Sequence, residues 1–254
     1  MAQRGRQPGR RALPGLRLLL SLLLALQAGA LPAAHGALVL AGTRLIYPQA
    51  ARQVRIGVLN VGTEPALMQA WIDAGDPEAR PQDIQVPFVL TPPMARIDPG
   101  QSQTLGVVFT GPALPADRES VFWLNVLDIP PKPAAEAGHN YLQFAVRTRI
   151  KLLYRPVALH GDPEQAMHAL RWRELCSSGR CSVQVDNPTP YAIAIVELRC
   201  RAGDRVLARD LQGTAMPFGS ARWPLHSSQR IRSVSYAVIN DYGALVHARE
   251  ALAP

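Results

Sequence analysis

The chain has 254 residues, 27 Lys or Arg against 19 Asp or Glu, a formal charge of +8, and 48% hydrophobic residues. Five of the Arg and none of the acidic residues fall within positions 1–36, so the remainder carries 22 basic against 19 acidic residues, a charge of +3. The basic balance therefore marks the N-terminus and gives no support to nucleic acid binding, for which the rest of the chain has no Lys/Arg run or basic–aromatic interleaving.

Positions 1–36 read as a secretory signal peptide. Arg4, Arg6, Arg10, Arg11 and Arg17 precede or flank an apolar run over 18–26, and small residues ending Ala34-His35-Gly36 follow. The run is too short for a comfortable membrane span. Cleavage is placed after Gly36, with Ala30 as the other candidate. A mature chain of 218 residues, Ala37 onward, follows. It is long enough for two domains of about 100 residues each and is expected to be soluble in an exported compartment, not membrane-embedded.

The rest of the chain reads as short strands separated by Pro, Gly, Asn and Asp. The strands are expected over 38–47, 54–61, 67–72, 88–91, 102–109, 120–127, 141–154, 182–185, 192–199, 221–224, 233–239 and 243–248. Twenty-three Pro residues argue against long helices, and only 163–169 suggests a helical turn. The pattern is all-β, of sandwich type. A boundary is placed at Arg155-Pro156, giving domains 37–155 and 156–254 after the leader 1–36.

Within 141–154 the alternation is explicit. Leu142, Phe144 and Val146 fall on one face, Gln143, Ala145 and Arg147 on the other. Strict alternation puts Lys151 on the face opposite Val146 unless a bulge intervenes. Lys151 and the distant Arg44 are two cations in similar apolar settings, and together with a greasy strand they could clamp a peptide carboxylate and pair with the peptide's backbone.

Three cysteines follow in an oxidising compartment: Cys176, Cys181 and Cys200. All three pairings are open. The turn-like Ser177-Ser178-Gly179-Arg180 favours a Cys176–Cys181 staple, leaving Cys200 as a small buried hydrophobe. No metal or other cofactor is expected, since there is no CxxC and no His nearby. The chain lacks GxSxG, HExxH, GxGxxG and Walker motifs, and its six His are scattered, so an enzyme has little to stand on. Asp128, Asp186 and Asp241 lie beside Pro, Asn or Gly and read as turn residues.

Several tags, in order along the chain, carry a family resemblance. They include Gly42-Thr43-Arg44-Leu45-Ile46-Tyr47-Pro48, Gln69-Ala70-Trp71-Ile72, Thr91-Pro92-Pro93 and Asp98-Pro99-Gly100. Asp117-Arg118-Glu119-Ser120, Phe122-Trp123-Leu124-Asn125 and Ile129-Pro130-Pro131 continue the series. Ile150-Lys151-Leu152-Leu153-Tyr154-Arg155-Pro156, Asn187-Pro188-Thr189-Pro190-Tyr191 and Ile239-Asn240-Asp241-Tyr242-Gly243 complete it. The chain resembles the PapD-like periplasmic chaperones of the chaperone–usher pilus pathway across nearly its whole mature length.

The resemblance implies two immunoglobulin-like sandwiches in an L with a cleft between them, and a periplasmic chaperone that is not an enzyme. It implies that Arg44 and Lys151 anchor the C-terminal carboxylate of a pilus (fimbrial) subunit. Leu142, Phe144 and Val146 would belong to the strand lent to that subunit, by strand addition. Glu119, Arg155 and Asp241 would form a charge network fixing the two domains. The subunit would then be delivered to an outer-membrane usher. The short loop from Pro130 to Asn140, with no cysteines flanking it, resembles the short-loop subfamily. The exposed donor strand also gives two copies of the chain a way to cap one another without a client. An exported immunoglobulin-like structural or adhesive surface protein is the alternative, disfavoured because no N-terminal donor extension precedes Leu38.

Overall fold

The computed structural model describes residues 37–131, 143–177, 180–225, 227 and 229–252. The leader assigned to 1–36 and the donor residue Leu142 lie outside them, as does most of the loop from Pro130 to Asn140. No helix among the described residues is long and apolar enough to cross a membrane.

The fold is all-β, with two immunoglobulin-like sandwiches. In the first, one sheet orders β1 (Leu38–Leu40), β3 (Val54–Asn60), β7 (Ser102–Phe109) and β5 (Phe88–Thr91). Its partner sheet orders β2 (Arg44–Pro48), β9 (Val146–Arg155), β8 (Ser120–Ile129), β4 (Ala66–Asp73) and β6 (Met94–Ile97). The expected strand over 38–47 thus divides at Gly42 and switches sheets. β1 pairs antiparallel with β3, whereas β2 pairs parallel with β9.

Period-two burial builds this core. Ile56 and Val58 of β3, Leu105 and Val107 of β7, Leu124 and Val126 of β8, and Leu152 of β9 point inward. Each such aliphatic side chain contributes about 1.5–3 kcal/mol relative to exposure. Tyr47, Phe88, Phe109, Phe122 and Tyr154 close one end as an aromatic cluster, with Phe109 and Tyr154 centroids 4.7 Å apart. The Tyr47 hydroxyl donates to Arg52 O at 3.2 Å and accepts from Phe109 N at 3.0 Å, so the buried phenol is satisfied.

The second sandwich pairs β10 (Arg171–Ser177), β11 (Arg180–Asp186) and β15 (Ser220–Pro224) in one sheet. The other holds β13 (Arg205–Ala208), β12 (Ile193–Ala202), β16 (Ser233–Ile239) and β17 (Leu245–Ala251), with β14 (Gly213–Ala215) also on β12. Its core gathers Val183, Val185, Ile195, Leu198, Val234 and Val238 beneath Trp223 and Tyr236. One helical turn, α1 (Pro163–Ala166), precedes it, capped by Asp162, which accepts from Glu164 N at 2.9 Å. Four strands that the sequence pattern does not announce are present: β6, β10, β13 and β14.

Asp128 corrects a sequence expectation. It is no turn residue: it lies in β8, 6% exposed, because the strand continues to Ile129 before Pro130 ends it. Asp241 does occupy a turn, and Asp186 closes β11.

Candidate functional site

The outer face of β9 carries four cations, Arg147, Arg149, Lys151 and Arg155, and the buried Leu153. Ile150, Leu152 and Tyr154 fill the core, so alternation turns Arg149, Lys151 and Arg155 outward. The pairing of β8 with β9 runs without a shift from Ser120↔Tyr154 to Asp128↔Val146. No bulge separates Val146 from Lys151, and the two therefore occupy opposite faces of one strand.

β2 brings Arg44 to the same place. In the parallel pair, Arg44 is in register with Lys151 and Pro48 with Arg155. Leu45 and Tyr47 are buried in the core, which turns Arg44 outward beside Lys151. Two cations from positions over a hundred residues apart are thus neighbours on one face. Among the described residues no carboxylate forms an ion pair with either, and the Arg44 Nε is buried without a hydrogen-bond partner.

Burial, reinforced by the neighbouring Arg44 and Arg149 charges, pushes the Lys151 ammonium down to about 8. Burial also lowers Arg44, opposed by the more distant Asp241 and Glu119 and aided by Arg155. Partly desolvated and, among the described residues, without a direct ion-pair partner, the two cations could together accept an anion.

Trp123 supports Lys151, a role the sequence pattern does not assign to it. It lies opposite Lys151 on β8, and its ring carries Lys151 Nζ at 4.5 Å and the Arg149 guanidinium at 4.1 Å. Arg149 in turn donates to Asp73 Oδ1 at 2.6 Å, and Asn125 Nδ2 donates to Asp73 Oδ2 at 2.7 Å. Burial works against the Asp73 charge, but these donors and the Gly75 N–H hold its carboxyl below the ordinary carboxylate range. Only the cross-strand register places these residues together.

The edge of β9 is open below the pair. β8 covers one edge from Val146 to Tyr154, but β2 covers the other only from Lys151 onward. Among the described residues, positions 146–150 have no strand on that side. Val146 is 41% exposed and Phe144, just before the strand, 63% exposed; neither packs into the domain's own core. The strand expected over 141–154 begins at Val146 among the described residues, and residues 143–145 are irregular.

Arg155, Glu119 and Asp241 meet where the two sandwiches touch. Arg155 Nε donates to Glu119 Oε1 at 2.7 Å, and Arg155 Nη1 and Nη2 donate to the two Asp241 oxygens at 2.7 and 3.1 Å. Glu119 is 2% exposed and also accepts from Ala192 N at 2.8 Å. Burial pushes the Glu119 carboxyl upward, against the pull of Arg155 and the Ala192 N–H. For Arg155 the two carboxylates outweigh burial and hold it firmly charged. A backbone bond from Glu119 N to Pro190 O, 2.9 Å, joins the same surfaces.

Cys176 and Cys181 are cross-strand partners in the β10–β11 hairpin and are joined by a disulfide of S–S length 2.08 Å. Glu174 lies close to both sulfurs, but its Oε1 accepts from Ile231 N at 2.7 Å and the bonded sulfurs offer no thiolate to a metal. Cys200 is buried and unbonded, and burial pushes its thiol up to about 12.

Residues 37–160 match the N-terminal domain of PapD, described as a pili and flagellar-assembly chaperone, and residues 165–250 match the C-terminal domain of PapD, the pili assembly chaperone. The chain belongs to the PapD family of pilus-assembly chaperones. It is 42% identical over 239 residues to the chaperone protein FimB/FhaD of Bordetella pertussis, covering 90% of this chain and 93% of that one. It is 41% identical to the probable fimbrial chaperone YadV of Escherichia coli over 85% of this chain and 89% of that one. The crystal structure of the YadV chaperone superimposes with a TM-score of 0.70 at 36% identity, covering 85% of this chain and all of that one. The Salmonella enterica SafA pilin in complex with the SafB chaperone matches with a TM-score of 0.71 at 26% identity, over 87% of this chain and 98% of that one.

Proposed function

We propose that this chain is a periplasmic chaperone that binds pilus subunits by strand addition and anchors their C-terminal carboxylate between Arg44 and Lys151. The observation that carries the reading is the position of the cation pair at the end of the open edge of β9. β2 covers this edge only from Lys151 onward. A peptide paired with residues 146–150 and ending just before Arg44 would bring its carboxylate against both cations. It would run in the direction of β9, as β2 does. Backbone hydrogen bonds along 146–150 would set its register, and the exposed Val146 and Phe144, continued by Leu142, would fill hydrophobic pockets of the subunit. The opposite faces of β9 then serve two ends: apolar side chains for the subunit's groove, cations for its terminus.

The division of labour follows. Residues 37–155 form the domain that carries the donor strand, and 156–254 the second domain, held in place by Arg155, Glu119 and Asp241. Residues 1–36 direct export. No step requires a cofactor or a chemical reaction, and the loaded chaperone passes its subunit to an outer-membrane usher. The pull-down of a subunit with tagged protein, wild type against Lys151→Ala, tests the reading. Recovery of an immunoglobulin-like subunit by the wild type alone supports it. Equal recovery by both removes the carboxylate anchor. No subunit with either, in cells making pili, favours an exported structural or adhesive protein.

A further inference from the structure

We propose that the buried carboxylate of Asp128 is the receptor for the α-ammonium created when the chain is cut between Gly36 and Ala37, so that removal of the leader completes an ion pair inside the first domain. The inference rests on the export reading for the position of the cut; the ion pair itself stands on the geometry.

Asp128 lies in β8 at 6% exposure, and among the described residues no Lys or Arg forms an ion pair with it. Its Oδ2 accepts from Ala37 N at 2.6 Å and from Leu38 N at 3.2 Å. Its Oδ1 is buried with no hydrogen-bond partner among the described residues. A buried carboxylate with one orphan oxygen and no counter-charge is costly. An amide nitrogen at Ala37 supplies one proton and no charge. A terminal ammonium at the same atom supplies three protons and a positive charge, enough to bond Oδ2 and turn toward Oδ1 as well.

The rest of Ala37 is also held. Its carbonyl accepts from Val61 N at 2.8 Å. Its side chain packs against the first core, and a Cβ on Gly62 would come within 2.7 Å of the Ala37 Cβ. Asn60 Oδ1 accepts from Gly62 N at 2.9 Å and fixes that turn. Ala37 therefore occupies a fitted seat at the start of edge strand β1, with its nitrogen delivered to Asp128.

The test compares purified full-length mature chain beginning at Ala37 with the same chain carrying one added Gly before Ala37, each with Asp128 or Asp128→Asn. The added residue converts the ammonium to an amide at that atom. The expected result is a melting temperature at least about 3 °C lower for the extended chain with Asp128, and little further change between the two chains with Asn. NMR titration of the Ala37 amino group should place it above the ordinary value of about 8, returning to it with Asp128→Asn. An equal effect of the extension in both backgrounds, or an unshifted amino group, overturns the ion pair. Should Asp128→Asn fail to fold, the titration of the native chain decides. Mass spectrometry of the exported protein should give Ala37 as its first residue; a different first residue overturns the processing site. None of these readouts depends on a client, so failure of the chaperone reading would be seen separately, in subunit capture.

Discussion

Arg44 and Lys151 are register partners across the parallel β2–β9 pair, side by side on the outer face of one sheet, and among the described residues neither forms an ion pair with a carboxylate. Folding has brought two like charges together and partly buried both. That arrangement opposes stability in the free protein, and a bound carboxylate would relieve it. Replacing Lys151 by Ala should therefore leave the fold intact, with stability changed by less than about 1 kcal/mol. The same change should weaken a subunit's C-terminal peptide by about 2 kcal/mol or more, roughly 30-fold. The check is peptide binding by calorimetry beside a thermal melt. A peptide with an amidated C-terminus should bind wild type and Lys151→Ala alike.

The depressed Lys151 ammonium, at about 8, predicts a pH dependence with a definite sign. An unfolded Lys titrates near 10.4, so between about 8 and 10.4 the unfolded chain holds more protons than the folded one. Lys151 thus makes the free protein more stable as pH rises through that window. Carboxylate binding requires the ammonium and must run the other way, weakening as pH rises through about 8. Near that pH, binding should take up a proton. Binding heats measured in buffers of different ionisation enthalpy should diverge there and converge at pH 6.

The Trp123 ring carries both Lys151 and Arg149, at 4.5 and 4.1 Å from its centroid. Trp123→Leu keeps an apolar side chain but removes the ring that steers the ammonium. We expect the preference for a free over an amidated terminus to fall about tenfold, in line with 1–2 kcal/mol for a desolvated cation on an aromatic face. Trp123→Phe should restore part of it. An unchanged preference in Trp123→Leu would leave the ring a packing role only.

The tight network at Arg155 predicts a structural effect instead. Arg155→Ala strands Glu119, which is 2% exposed, without its guanidinium. Breaking one side of a buried pair costs about 3 kcal/mol or more. Because Arg155 also reaches Asp241 across the junction, the loss should uncouple the two sandwiches. Denaturant unfolding should then split from one transition into two. A single unshifted transition would mean that Glu119 N to Pro190 O and the neighbouring contacts suffice.

The readable parts of the chain were those written in local pattern. Phe88–Thr91 and Ser233–Ile239 stand where short runs between turn residues put them, and the fold class follows from the same pattern. β10 was illegible because its charged and apolar residues mix on both faces, and it is held by β11 and a disulfide. Arg44 and Lys151 were found as separate tags; their adjacency depends on a parallel register that no local signal encodes. Asp128 was misread because Ile129-Pro130 follows it, whereas the burial that gives it meaning comes from packing. Asp73, Asn125 and Arg149 escaped for the same reason, since each is ordinary until the sheet brings them together.

Phe144 separates the donor strand's two conceivable uses. At 63% exposure, just before β9, it contributes little to its own domain, so Phe144→Asp should leave the melting temperature of the free chaperone unchanged within about 2 °C. If the side chain fills a subunit pocket, the same substitution places a carboxylate in an apolar site. The cost of burying an unpaired charge is several kcal/mol, enough to abolish a stable complex. Co-expression with a subunit, scored as soluble complex recovered, should then show a loss comparable to that of Lys151→Ala, although Phe144 carries no charge and makes no contact with the anchor. Full recovery with Phe144→Asp would confine subunit binding to the carboxylate and the backbone of 146–150.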